Sequence, residues 1–519
     1  MYDKYPIDRP IDMKLNVRPV YNALIHMVAF EGPCRFGDKD ELTKEFDTMS
    51  AQEGFKRFCA RIEKIGDGNP DINMMAPILT TGSDEFSYTE ETFEKLAEEV
   101  GDVDVFFIQA ASPSSSRLIL EMLNRFNKPI ILFNASGTIT EGNISSLHFK
   151  GYNDVFGVID WVQAEEFMRA MKVKKALSRT RVLELYRHES KHYLTDDCDT
   201  ANTFGVSVTG VNIHEMFDML DTREDGKGNY TLPLRTVYNL TEEDNKEAER
   251  IADELIAGAE EVWIERDKLI KSIRFNILTR KLMNKWNCNA FTGQCKECCA
   301  TTRINEAQVT YCIGHSLNNE DRVVSACEGD LNALKALTVM ACISRKAPYQ
   351  SNTSPLVLDE EGKIMASMWF TPSEEAAKYP NQCYCNWHAT PNRKMKFGFD
   401  SEEKESLAIG PFTASARFGG TFRRDFKRDK GEVVTLMRFN PEGTKMLITR
   451  SHVLDGIGYD RFGCPEGFYY RVNNRDEFFQ DQIEFGSHMV MVFGDYVKEL
   501  KTFAKIMHLG TVIYTDNEK

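Results

Sequence analysis

Two acids flank a glycine in "SACEGDLNALKALTV" (Ser325–Val339), where Glu328 and Asp330 stand at the mouth of an apolar run. Carboxylates in that place either cap the following helix, stabilising it by about 0.5–2 kcal/mol, or hold a metal. Two other residues bear on the choice. Glu306 lies in "RINEAQVTYCIGHS", and His488 opens an apolar, strand-like run in "EFGSHMVMVFGD". Alone, each has an ordinary structural use: a helix-start acid, or a core histidine with its hydrogen bonds satisfied. Together, Glu306, Asp330 and His488 supply two carboxylates and one imidazole. That set suits a hard or borderline divalent cation that keeps positions open for substrate oxygens. Their spacing is not diagnostic, so the fold must bring them together.

Three other stretches carry chemistry. "RFGGTFRRDFKRDK" gathers Arg417, Arg423, Arg424, Lys427, Arg428 and Lys430. Guanidinium groups pair with tetrahedral anions, so Arg417, Arg423 and Arg424 are candidate anion-binding residues; the alternative is a solvated hairpin tip. "CNAFTGQCKECC" holds Cys288, Cys295, Cys298 and Cys299. Its C-x-x-C is half of a zinc pattern, but the second pair, Cys383 and Cys385, has the wrong spacing, so reduced cysteines are the expectation. "ASPSSS" (Ala111–Ser116) joins a strand to a helix and could receive an anion at the helix start, though it lacks a P-loop pattern.

The elements that must position these residues fall into three stretches. Residues 1–151 alternate strand and helix: "VRPVYN", "TFEKLAEEVGD", the continuous apolar "VDVFFIQAAS", "RLILEMLNRFN" and "KPIILFNAS". That rhythm predicts a doubly wound α/β domain with a parallel sheet buried on both faces. Residues 152–346 continue in the same style, and "TEEDNKEAERIADELIAGAEEV" has one apolar face at helical spacing. From 347 to 519, short β-prone runs alternate with turn residues. The expected fold is therefore α/β: two Rossmann-like α/β domains, the second carrying the metal carboxylates, then a β-rich barrel-like C-terminal domain carrying the metal histidine.

Composition narrows the function classes. Lys+Arg 64 against Asp+Glu 79 gives a net charge of -15, which argues against a nucleic-acid partner. No apolar run approaches the roughly 20 residues that span a bilayer, and the N-terminal stretch lacks a signal-type core. The expectation is a cytoplasmic protein without a membrane partner. The 13 cysteines, several inside apolar stretches, fit a reducing compartment.

Four features together resemble the L-fucose isomerase family, which is related more distantly to L-arabinose isomerases. They are "KLNVRPVY", "INEAQVTYCIGHSLNNEDRVVSACEGDLNALKAL", "FGSHMVMVFGDYVKELKTFAKIMHLGTVI" and the domain order. The second stretch resembles the family's segment with both metal carboxylates, at Glu306 and Asp330. The third resembles the segment whose histidine completes the metal site, at His488. This chain has Ser487 where the family usually has Asn, and "CYCNWH" and the basic segment match nothing in the family pattern.

The resemblance implies a metal-dependent aldose–ketose isomerase acting on a fucose-like or other hexose sugar. A proton moves between C1 and C2 through an enediolate, with the cation on O1 and O2. Glu306 and Asp330 would be ligands that also do acid/base work, His488 a ligand only, and Arg18 and Ser487 substrate-binding. Mn²⁺ is the implied cofactor, with Mg²⁺ able to substitute, and a homo-oligomer, such as a hexamer, is the implied assembly. Two alternatives stand beside this reading: the same chemistry on an anionic sugar such as sulfoquinovose, and a non-catalytic sugar-binding homologue.

Overall fold

A computed structural model describes residues 4–25, 43–82, 88–110, 116–134, 140–186, 204–220, 239–295, 302–366 and 371–516. The loop at 111–115 and the cysteines Cys298 and Cys299 lie outside the described residues. The chain forms two compact units. One comprises 12–175 with 505–507; the other comprises 1–11, 176–504 and 508–519. These limits differ from the expected ones. The first boundary falls at 175 instead of 151, and none falls at 346, because the second α/β segment and the β-rich segment share one unit.

The unit 12–175 is built on a parallel sheet. Its strands are β1 (Leu15–Leu24), β2 (Ile72–Met74), β3 (Ile78–Gly82), β4 (Val105–Ala110), β5 (Ile130–Asn134) and β6 (Val155–Val158). The order is β2-β1-β4-β5-β6, with β3 also paired to β1. In β4, "VFFIQA" is buried at every position but Gln109, as expected of a strand covered on both faces. Ile108, Leu118, Ile119, Met122 and Leu132 form part of its core.

The other unit contains two sheets. β7 (Arg181–Tyr186), β8 (Ser207–Asn212), β9 (Ala290–Gly293) and β10 (Ser325–Cys327) make a parallel sheet in the order β10-β9-β7-β8. Phe217 and the apolar stripe Phe275, Leu278, Leu282 and Met283 of the helix Arg266–Lys285 pack in the core beside it. β13 (Ala408–Pro411) and β14 (Gly420–Arg423) form a separate hairpin ladder.

The C-terminal region is a closed six-stranded antiparallel barrel. Its strands are β11 (Tyr349–Pro355), β12 (Cys383–Trp387), β15 (Val433–Phe439), β16 (Lys445–Ile457), β17 (Gly467–Arg471) and β18 (His488–Phe493). The order β15-β18-β11-β12-β17-β16 closes where β15 pairs β16, from Val433↔His452 to Phe439↔Met446. β19 (Gly510–Thr515) adds to β16 in parallel.

One helix connects the parallel sheet to the barrel. Leu331–Ser344 follows β10 and packs on β15 and β18. Its residues Leu331 to Cys342 are all buried, in keeping with a stretch that is apolar apart from Asn332, Lys335 and Thr338. β18 is likewise buried on both faces. Met489, Met491 and Phe493 enter the barrel core, so the period of two turns His488, Val490 and Val492 outward, toward the side where this helix packs.

Candidate functional site

The turn after β10 holds an unusual backbone. Glu328 (φ 64) and Gly329 (φ 72) are both left-handed. Gly suits that region, but Glu does not. A Cβ on Gly329 would also lie 2.8 Å from Cγ of Gln294, so the segment after β9 packs tightly against this turn. Strain in a buried, non-glycine residue persists only where surrounding contacts hold it, and it marks functional turns. Here it aims the Glu328 carboxylate into the protein, where the residue is 4% exposed.

Asp330 ends the turn and caps the helix. Its Oδ1 accepts from the Ala333 backbone N–H at 2.8 Å. Its Oδ2 accepts from Arg438 Nη1 at 2.7 Å and from His488 Nδ1 at 2.7 Å. Arg438 also donates to the carbonyl oxygens of His488, at 2.9 Å, and Phe485. Burial alone would raise the Asp330 carboxyl, but the Arg438 charge and the His488 hydrogen bond hold it well below the usual range. Asp330 is thus an ionised brace.

That brace fixes the His488 tautomer. With Nδ1 donating to Asp330, the neutral ring carries its lone pair on Nε2, and Nε2 lies 3.6 Å from Glu328 Oε2. His388, just past β12, reaches the same carboxylate, with Nε2 3.7 Å from Oε1. Its backbone N–H donates to the Glu466 carbonyl at 2.8 Å. The following segment is pinned by Arg393, which grips the buried Glu320 through Nε, Nη2 and its backbone N. The two imidazoles are 5.8 Å apart at their centroids.

Glu328, His388 and His488 therefore present one donor atom each, all within 4.8 Å of one another. Bonds of about 2.0–2.2 Å to one ion place neighbouring donors roughly 3–3.6 Å apart; the imidazoles approach the two Glu328 oxygens at 3.6 and 3.7 Å, so the set must draw in slightly around an ion. His388 Nε2 is buried and has no hydrogen-bond partner among the described residues, and neither do the Asn332 amide atoms in the helix's first turn. An orphaned imidazole nitrogen beside a carboxylate is chemically suited to a divalent cation. The Ala389 backbone N–H donates to His388 Nδ1 at 3.0 Å, which in a neutral ring places the proton on Nε2. A cation at Nε2 requires that contact to yield and the ring proton to sit on Nδ1.

A third histidine lies nearby. His315 is fully buried and bonds through Nδ1 to Ser325 Oγ of β10 at 2.7 Å. Burial, then the charge of His388, push it down to about 3, so it is neutral at physiological pH.

The sequence-expected residues divide sharply. His488 lies in the cluster. Asp330 touches it as a brace, not as a facing donor, because its oxygens are taken by Arg438, His488 and Ala333. Glu306 is exposed on the short helix Thr302–Ala307 and does not belong to the cluster. Ser487 is exposed, and its carbonyl accepts from Thr353 N. Arg18, in the unit 12–175, is buried; its guanidinium bonds to the Ala76 and Glu98 carbonyls and to Glu99 Oε2 at 2.7 Å, a structural use.

The expected anion site is also corrected. Arg423 is buried against Glu466 at 3.0 Å. Arg424 pairs with Asp429 at 2.9 Å and with Glu405. Arg417 is exposed and donates to the Trp263 carbonyl at 2.6 Å. The guanidinium groups of Arg423 and Arg424 are committed to internal carboxylates, although Arg423 also lines a surface cavity with Arg417 and Arg461. Sequence reasoning raised a metal role for the turn's two acids but placed Asp330 in the ligand set instead of Glu328, and it missed His388 altogether. Nothing in the spacing of "CYCNWH" signals a ligand; the barrel alone brings the end of β12 beside the start of β18.

No protein-family model matches the sequence, and no curated protein is similar enough to count as a relative. Among the described residues, no helix is long and apolar enough to cross a membrane.

Proposed function

We propose that this protein is a cation-dependent aldose–ketose isomerase whose ion is held by Glu328, His388 and His488. The carrying observation is that one carboxylate and two imidazoles converge within 4.8 Å in the interior. The sugar-isomerase reading itself comes from the sequence resemblance around this turn and around His488. A cation bound there supplies positive charge to the oxygens of a carbonyl and its neighbouring hydroxyl.

The chain's own residues do the rest. His488 is oriented by Asp330, and Asp330 by Arg438, so a donor atom sits ready without reorganisation. Asp330 is held ionised and fully bonded, which suits it poorly to proton transfer. Glu328 is the carboxylate left facing the cluster and is the residue to carry a proton between adjacent carbons. Two imidazoles favour Mn²⁺ over Mg²⁺, since nitrogen donors suit transition ions. A neutral fucose-like or other hexose is the favoured substrate. The anionic alternative loses its support with Arg423 and Arg424 committed to internal pairs.

A second reading is favoured by one observation. Glu328, His388 and His488 are only 4%, 1% and 0% exposed, as befits a cation that clamps the fold of a non-catalytic sugar-binding protein. One experiment separates the two. Protein stripped with EDTA is reloaded with Mn²⁺, incubated with neutral aldoses and anionic sugars, and scored by NMR for ketose. The isomerase reading expects Mn²⁺-dependent turnover of a neutral hexose, lost with Mn²⁺ binding in His388→Ala. Tight Mn²⁺ binding that raises Tm without turnover favours the clamp. Unchanged Mn²⁺ binding in His388→Ala would refute the cluster.

A further inference from the structure

Two sulfur atoms meet beside the strained turn. Cys327, the last residue of β10, places Sγ 3.6 Å from Sγ of Cys295. β9 and β10 run side by side with Gly293 registered on Cys327, so Cys295 follows two residues beyond the point of pairing. Cys295 is half-buried, whereas Cys327 is buried. The next residues after Cys327 are Glu328 and Gly329, and Gly329 already packs against Gln294. The two segments therefore touch at adjacent residues of one, Gln294 and Cys295, and at Gly329 and Cys327, either side of Glu328, of the other.

The backbone of Cys327 has little room to move. Its N–H donates to Gln350 Oε1 at 2.7 Å, and its carbonyl accepts from Gln350 Nε2 at 3.2 Å. A disulfide needs the sulfurs at about 2.05 Å. Closing that gap from 3.6 Å pulls on the residue directly joined to Glu328, whose left-handed backbone depends on its surroundings.

We propose that Cys295 and Cys327 form an oxidisable thiol pair whose disulfide loosens the cation-binding turn, an inference that rests on the cation reading above. The oxidant class is a hydroperoxide. The partly exposed Cys295 thiolate attacks the peroxide, the O–O bond breaks, and Cys295 becomes a sulfenic acid with release of water. Cys327 then attacks the Cys295 sulfur, the S–O bond breaks, and a second water leaves carrying the thiol proton. Two thiols lose two electrons in all, and hydrogen peroxide gains two. Cys295 is half-buried and Cys327 buried, so Cys295 is the sulfur that meets oxidant first.

The test uses the full chain, reduced or treated with hydrogen peroxide, with trypsin mapping and Mn²⁺ titration read separately. The expected product is a linked pair of peptides, 286–296 with 323–335, lighter by two hydrogens than their sum and released by dithiothreitol. It is absent in Cys295→Ser and in Cys327→Ala, which excludes linkage through Cys288. Oxidised wild type should bind Mn²⁺ roughly tenfold more weakly, while peroxide-treated Cys295→Ser should keep its affinity. Overoxidised or unmodified Cys295 without the linked peptide overturns the pair. A linked peptide with unchanged Mn²⁺ affinity overturns the loosening. A reduced protein that binds no Mn²⁺ ends the cation reading and the coupling with it, while the linked peptide still decides the thiol pair.

Discussion

Asp330 and Glu466 are both fully buried carboxylates facing an arginine, yet they are driven in opposite directions. Burial would raise each. For Asp330 the Arg438 charge and the His488 bond outweigh it, and the group stays well below its ordinary value. For Glu466 burial wins over Arg423 and Arg424, and the group is pushed up to about 7. The difference lies in the donors. Asp330 collects Arg438, His488 and a backbone N–H at a helix start, where the dipole adds to the pull. Glu466 receives Arg423 Nη1 at 3.0 Å and the Arg424 backbone N–H. Arg423 is also turned to the Gly463 and Pro411 carbonyls, and the Arg424 guanidinium goes to Asp429 and Glu405. A buried charge is set by how many donors reach it, not by the presence of an arginine nearby.

The comparison breaks most directly at Arg438. Arg438→Met leaves Asp330 charged, buried and short of its strongest partner. The expected loss is about 3–5 kcal/mol, measured by urea unfolding. A loss below about 1 kcal/mol would mean that Asp330 is not held as described.

Glu466 gives a pH signature. Its folded value lies above the ordinary 4.5, so the folded protein binds this proton more tightly than the unfolded chain. Its contribution is complete below about pH 4.5 and is lost as pH rises toward about 7, a change of roughly 3 kcal/mol. Unfolding of wild type and Glu466→Gln at about pH 5 and about pH 8 should show the gap moving in the variant's favour at the higher pH. A gap that stays constant would place Glu466 with Asp330, ionised throughout.

Asp330→Asn sharpens the contrast on the cation side. Asn remains a good helix cap but leaves the buried Arg438 without its carboxylate, a cost of about 3–5 kcal/mol; in the folded variant Mn²⁺ affinity should fall about 10–100-fold. Complete loss of binding would promote Asp330 to a ligand; unaltered affinity would remove its bracing role. The smallest effect is expected at Glu306→Gln, with Mn²⁺ affinity within about twofold of wild type, as for exposed positions generally. A collapse of binding there would restore the sequence-expected trio of Glu306, Asp330 and His488.

The sequence by itself determined the parallel sheets, the β-rich end and the apolar helix after the acidic turn, because those are local matters of period and burial: "VFFIQA" can only be a strand covered on both faces, and "LNALKALTVMAC" only an interior helix. It also exposed the turn at Glu328–Asp330 and the strand-opening His488 as places where chemistry could sit. Which acid faces the cluster was decided by tertiary structure alone. Two left-handed residues turn Glu328 inward, Arg438 from a distant strand claims Asp330, and β11, paired with both β12 and β18, brings His388 from the end of β12 toward His488. Such choices depend on contacts between residues tens to more than a hundred positions apart, and no spacing along one chain records them.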